Sequence, residues 1–132
     1  MMSILSTALT ADTAVAAGGT VPFGSAVHGY GKAIRLNGNA ISLYGTGYYL
    51  VNISLTALVT GATALTASLQ SNGNTISGAE ASVVPAAAGD AVNLSITWLI
   101  RKGCCAEPTT LTVVLDSAAT VTDMMATVEK VA

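Results

Sequence analysis

The sequence predicts an all-β antiparallel sandwich or jelly roll, on three observations. Apolar side chains recur at every second position over long runs, turn-forming residues separate the runs, and no convincing amphipathic helix lies between them. The clearest run follows Gly45-Thr46-Gly47. Tyr49, Val51, Ile53, Leu55 and Ala57 fall on one side of it, and Asn52, Ser54 and Thr56 on the other. A strand points successive side chains to opposite faces, so this is a long strand with one buried face. Alanine is abundant and favours helix, but the Thr, Val, Ser and Gly content and the period of two argue for strands.

Taken in order, residues 3–10 read as a short extended arm or first strand. Residues 12–16 and 20–23 are short extended pieces around Gly18-Gly19, and Pro22 confines the second to an edge or a strand end. The Gly-rich stretch 24–31 reads as a loop. Residues 33–36 and 40–44 form a strand pair around the turn Asn37-Gly38-Asn39. The long strand spans 48–59, and Gly61-Ala62 turns the chain. Residues 65–70 are a strand ending in a second Asn-Gly hairpin turn at 71–74. Two short strands follow, 75–78 and 80–84, the latter stopped by Pro85, and then a loop at 86–90. Val92, Leu94, Ile96, Trp98 and Ile100 define another long strand, and residues 101–108 are a loop. Leu111, Val113 and Leu115 define the next strand. A turn at 116–118 leads to a last strand, 119–131, with Met124, Ala126 and Val128 in phase. The expected core is Tyr49, Val51, Ile53, Leu55, Leu94, Ile96, Trp98, Leu111, Val113 and Leu115. The expected organisation is an N-terminal arm or anchor over 1–11 and one jelly-roll domain over 12–132.

Composition narrows the surroundings. The 132 residues suit one domain. Hydrophobic residues make up 52% and charged residues only 9%, with a mean hydropathy of +0.63. An ordinary soluble domain is about 25% charged, so either lipid or other protein must cover part of this surface. A membrane-spanning helix needs about 20 consecutive apolar residues, and Thr, Ser, Asn and Gly interrupt every apolar run. An outer-membrane barrel needs aromatic girdles, which 5% aromatic content cannot build. Burial against protein remains, and no membrane partner is expected. With five Lys and Arg in all and a net charge of −2, no basic patch for nucleic acid is expected. The N-terminus lacks a positive n-region and a long apolar h-region, so it is not read as a signal peptide. Export by lysis or inside a particle is the expected route out of a cell.

A resemblance adds to this reading. Gly47-Tyr48-Tyr49-Leu50-Val51 fits the Gly-x-Tyr-x-Val strand of the C1q/TNF-like jelly rolls. The segment Val15-Ala16-Ala17-Gly18-Gly19-Thr20-Val21-Pro22-Phe23 is similar to the opening of the globular heads of bacterial collagen-like spore-surface glycoproteins. A strand–turn–strand, the Gly-x-Tyr-x-Val strand, a strand with an Asn-Gly tip and a Thr/Val-rich closing pair follow in the family order. The resemblance covers residues 12–132. It implies a compact homotrimer packed around a threefold axis, which would hide apolar sheet surface. One departure matters: the spore-surface proteins carry a Gly-X-Y stalk, and no such period precedes the domain here. A trimeric jelly roll beginning at Met1, without stalk or signal, resembles phage head-fibre and decoration proteins.

The expected function is therefore that of a non-enzymatic structural protein on the capsid surface of a bacteriophage virion. The alternatives are the receptor- or glycan-binding tip of a tail fibre, with tip loops at 24–31, 71–74 and 103–108, and a bacterial spore or cell-surface protein. The expected partners are two further copies of the chain, the major capsid protein or another virion protein, and a host surface glycan. Tyr30, Tyr44 and Tyr48 are candidates for the trimer interface, since aromatics favour interfaces, with a glycan-binding surface as the alternative; Leu50 joins them because the second face of the long strand is too apolar for water and too polar for a sandwich core. Met1, Met2, Ile4 and Leu5 are candidates for the particle anchor.

No cofactor is expected. Cys104-Cys105 are two thiols, a vicinal or intersubunit disulfide, or metal ligands. A zinc site would need further Cys or a nearby His, and His28 is the only histidine. His28 has no acid or Cys beside it to make it a general base. Asp90, Asp116 and Asp123 read as solvated turn residues, because calcium takes about six to eight oxygen ligands and no acidic cluster supplies them; the alternative is an ion bound on the threefold axis of a trimer. The sequons at Asn52 and Asn93 are mid-strand and read as accidental. No Gly-x-Ser-x-Gly, phosphate loop, Cys-x-x-Cys or dinucleotide-binding glycine pattern occurs.

Overall fold

The computed structural model describes residues 3–60, 64–87, 89–103 and 108–132. Among these, eleven strands form: β1 Ile4–Leu9, β2 Thr13–Val15, β3 Ser25–Tyr30, β4 Ile34–Asn37, β5 Ala40–Leu43, β6 Gly47–Val59, β7 Leu65–Ser71, β8 Asn74–Val83, β9 Ala91–Lys102, β10 Thr109–Leu115 and β11 Ala119–Lys130. The first sheet runs β3-β1-β11-β6-β9, with β2 added beside β11. The second runs β4-β5-β10-β7-β8, and all the pairings are antiparallel. The first and last strands are neighbours, and the chain passes repeatedly between the sheets. This is an antiparallel jelly-roll sandwich.

The two sheets bury their facing sides. From β6, Tyr49, Val51, Ile53, Leu55, Ala57 and Val59 point inward, and Val92, Leu94, Ile96 and Ile100 join them from β9. The second sheet contributes Ile41, Leu43, Leu65, Leu69, Leu111, Val113 and Leu115. Trp98 is half-buried and packs at the side of this core, in register with Val51. A Cβ on Gly78 of β8 would come within 3.0 Å of its ring. Gly78 also adopts φ +89°, a conformation that favours glycine, so β8 can fold over the indole and close that side of the sandwich.

The two Asn-Gly hairpins use different turns. Asn72 and Gly73 both have positive φ, the type I′ arrangement, and β8 returns along β7. At the other hairpin Asn37 still pairs with Ala40, and only Gly38 of the two loop residues turns to positive φ, as in type II′.

Five segments differ from the sequence reading. Residues 25–30 are not a loop but β3, the edge strand of the first sheet. Pairing with β1 supplies its order, and all six residues are exposed, so no alternation marks them. Residues 74–83 form one strand rather than two, carried through Gly78 by a register shift opposite Ser68 and Gln70. Residues 20–23 make only an isolated bridge, Thr20 to Val114, yet Val21 and Phe23 are fully buried. That segment is held by backbone bonds along β10: Gly18 N–H and Val21 N–H donate to Leu115 O and Val113 O at 2.7 and 2.8 Å. Arg101 and Lys102 continue β9 instead of opening a loop. Finally, of the two readings of residues 3–10, arm or first strand, the strand is the one formed, and β1 lies inside the domain between β3 and β11 rather than before it. Leu5 is 5% exposed, and burial in the core removes its side chain from any anchor surface. Met1, Met2, Cys104 and Cys105 lie outside the described residues.

One core position carries a mismatch. Thr7 of β1 is fully buried, and its Oγ1 has no hydrogen-bond partner among the described residues. A buried hydroxyl without a partner costs about 1–3 kcal/mol. Thr7→Val keeps the shape and removes the hydroxyl. It should raise the unfolding free energy by about 1 kcal/mol in urea denaturation, and a loss of stability would show that the hydroxyl is satisfied.

Candidate functional site

The side of the first sheet that faces away from the core is unlike the rest of the surface. Strand alternation places Tyr48, Leu50, Asn52, Ser54, Thr56 and Leu58 of β6 there, opposite in phase to the buried set. The pairing registers extend this into rows across five strands. One row reads Tyr30, Ile4, Glu129, Leu50, Leu99. The next reads His28, Ser6, Thr127, Asn52, Thr97, and the third Ser25, Ala8, Met125, Ser54, Ser95. Beyond the first row, Arg101 pairs with Tyr48, and Val131 N–H donates to Tyr48 O at 2.8 Å. The face is thus most apolar at the Tyr48 end, and along the rest small polar groups predominate, with Met125 and Leu58 exposed among them.

The polar part is already knitted together within the chain. Thr97 Oγ1 donates to Asn52 Oδ1 at 2.8 Å, and Asn93 Nδ2 donates to Leu55 O at 3.0 Å and Thr56 Oγ1 at 3.2 Å. The Ser6 and Thr127 hydroxyls lie 3.4 Å apart. Cross-strand bonds of this kind hold the side chains flat on the sheet. Asn52 and Asn93, the two sequon residues, are both part of this network.

Of the nine well-exposed large apolar side chains among the described residues, Tyr30, Tyr48, Leu58, Leu99 and Met125 lie on this face. The second sheet turns out a different set, with Arg35 exposed on β4 and Thr112 beside Gln70. The exposed apolar surface is therefore concentrated on one side of the sandwich, which marks that side as the candidate interaction surface.

The structure brings Tyr30, Tyr48 and Leu50 together and places Tyr44 elsewhere. Tyr44 follows β5 in the second sheet, and the Arg35 guanidinium sits over its ring at 5.0 Å from the centroid. Ile4 joins the apolar row, half-buried between Tyr30 and Glu129. Leu99, Met125, Glu129 and Arg101 also belong to the face, and sequence reasoning did not single them out. The signal was present: each is out of phase with the buried residues of its own strand. His28 lies on the exposed edge strand, one row along and two strands across from Glu129. Asp90 Oδ2 accepts from Ala87 N–H at 2.9 Å and closes a turn, while Asp116 Oδ1 accepts from Thr66 N–H at 2.8 Å and ties the end of β10 to β7. Asp123 is exposed at a bulge in β11. Among the described residues, no three His, Cys, Asp or Glu side chains are grouped to hold a metal ion. No helix among them is long and apolar enough to cross a membrane.

These strands in this order define a C1q/TNF-like jelly roll. No family model and no curated protein sequence matches the chain. Solved structures do match. Murine APRIL superposes with a TM-score of 0.75 at 13% identity, over 99% of this chain and 100% of that one. The globular domain of zebrafish complement 1qA protein gives 0.72 at 7% identity over 94% of each chain. The PRD1 vertex protein P5 gives 0.65 at 15% identity over 97% of this chain and 95% of that one. Likeness at these identities establishes the fold, and function has to be argued from the surface.

The face stands on the ordered start of β6, where Tyr49 is fully buried and its hydroxyl donates to Gly45 O. Burial raises the Tyr49 phenol above its ordinary value of about 10. The folded state therefore holds this proton more tightly than the unfolded chain. The corresponding stability is complete below about pH 10 and is lost as pH rises through the folded-state pKa. Tyr49→Phe should lower stability at pH 7 by about 1 kcal/mol, through the lost hydrogen bond. It should also flatten the decline above pH 10, as read by urea denaturation across pH 7–11.5. An unchanged alkaline slope would assign that decline to other groups.

Proposed function

We propose that this protein is a non-enzymatic structural component of a bacteriophage virion, a homotrimeric decoration or head-fibre protein on the capsid surface. The observation that carries the reading is the outward side of the first sheet, where exposed Tyr30, Tyr48, Leu99 and Met125 border rows of uncharged Ser, Thr and Asn. An apolar patch of this kind, on a chain with 9% charged residues, is suited to contact with further copies of itself. Five strands at about 4.8 Å spacing and a central strand of 13 residues at about 3.3 Å rise make a face roughly 20 Å by 40 Å at its longest. That is the scale of a standard interface, about 800 Å² per partner. The fold it shares with the PRD1 vertex protein P5 supports a place on a virus particle.

In such a trimer the two ends of the face have different tasks. The Tyr48, Leu50 and Leu99 end excludes water and supplies most of the affinity. The Asn52, Ser54, Thr97 and Ser95 rows give hydrogen-bonding register at little desolvation cost, because their partners are already in place within each chain. The trimer then presents its second sheets and hairpin tips outward, and the proposed virion partner is the major capsid protein or another particle component.

Sedimentation equilibrium at micromolar concentration should give three times the chain mass of 13.1 kDa. Leu99→Lys should dissociate the trimer to monomers with an unchanged far-ultraviolet spectrum. The trimer should also co-sediment with empty capsids and give no saturable signal on a glycan array. A monomeric wild-type protein would overturn the assembly reading, and glycan binding without capsid binding would move the function to a fibre tip.

A further inference from the structure

Charge is scarce on the outward side of the first sheet, and its placement is uneven. Glu129 of β11 is half-buried in the middle of the apolar row, with Ile4 on one side and Leu50 on the other. Arg101 is exposed at the free edge of β9, beside Tyr48 and two residues on from Leu99. Among the described residues, and apart from His28, Arg101 is the one cationic side chain that alternation turns outward from this sheet; Lys102 and Lys130 are in the opposite phase. Within one chain, Arg101 and Glu129 are separated by two strand spacings, roughly 10 Å. They are also offset by one register row, with the Leu50 and Tyr48 side chains between them.

We infer that each subunit docks its β9 edge on the neighbour's β1–β11–β6 face, so that Arg101 pairs with Glu129 of the partner subunit. The inference rests on the trimer reading above. A threefold ring is closed by heterologous contacts, in which one patch meets a different patch. The two ends of this face supply such a pair: an apolar edge carrying a cation, with Tyr48 and Leu99, and an apolar row carrying an anion, with Ile4 and Leu50. A twofold contact centred on the same row would instead bring two Glu129 carboxylates together, and like charges in an interface are strongly disfavoured. Covering Glu129 with apolar surface alone would bury an unpaired charge. The guanidinium of Arg101 removes that penalty and fixes the register of the docked edge, since it can engage a carboxylate through two parallel hydrogen bonds. The same pair then selects a ring over a dimer.

A charge-reversal cycle tests this. The four proteins are wild type, Glu129→Arg, Arg101→Glu and the double reversal, each checked for fold by circular dichroism and followed by sedimentation equilibrium. Each single reversal should weaken trimerisation at least about tenfold, and the double reversal should return most of it. If a reversal does not fold, Glu129→Gln, Arg101→Gln and their double replace it, and the coupling is read from that cycle. A wild-type trimer whose single variants stay trimeric, or whose double variant is no better than the singles, overturns the pairing and leaves the trimer standing. A wild-type monomer overturns the trimer and the pairing together.

Discussion

Strand β6 is hydrogen-bonded along nearly its whole length on both sides, to β11 from Val59 to Tyr49 and to β9 from Gly47 to Leu58. A strand paired on both edges has no freedom to slip, because a shift of one residue would turn Tyr49, Val51, Ile53 and Leu55 out of the core and bring Asn52 and Ser54 in. Its register therefore sets the registers of β9 and β11, and through β11 those of β1, β2 and β3. The whole outward face of the first sheet is a projection of that one ladder.

This explains how a chain with few charges can have a well-defined surface. Rows of side chains on a sheet are ordered by the backbone, so small uncharged groups such as Ser54, Ser95 and Thr97 can be placed as accurately as large ones. Cross-strand hydrogen bonds from Asn93 and Thr97 then use up much of their polarity within the chain. What is left outward is a face of low charge whose apolar residues are densest at the Tyr48 end.

The second sheet has a supporting part. It closes the core with Ile41, Leu69, Leu111 and Val113, while Val21 and Phe23 fill the space beyond β5 along β10. The contact of Trp98 with Gly78 joins the sheets at the side where β8 and β9 meet.

Strands with one buried and one exposed face were legible in the sequence, because the solvent boundary writes a period of two into residues 48–59, 92–100 and 65–70. Tight hairpins were legible too, since Asn-Gly is required by the backbone of the turn itself. The fold class follows from those two signals, and from the absence of helical pattern between them. Segments whose order comes from a neighbour left no such signal. Strand β3 is exposed on both faces and is held by β1, and the Gly18-Gly19 segment is held by the carbonyls of β10. Residues 75–84 appeared broken at Gly78, although the glycine is what lets the strand pass over Trp98. The tyrosines could be singled out as interface candidates from residue type alone. Which of them share a face was decided only when β5 joined the second sheet, carrying Tyr44 under Arg35, while β3 and β6 put Tyr30 and Tyr48 on the first. Local pattern encodes which side of a strand is wet. The partners across a sheet, and hence the grouping of Ile4, Glu129, Leu50 and Leu99 into one row, depend on pairings between residues far apart in the chain, which only the tertiary structure sets.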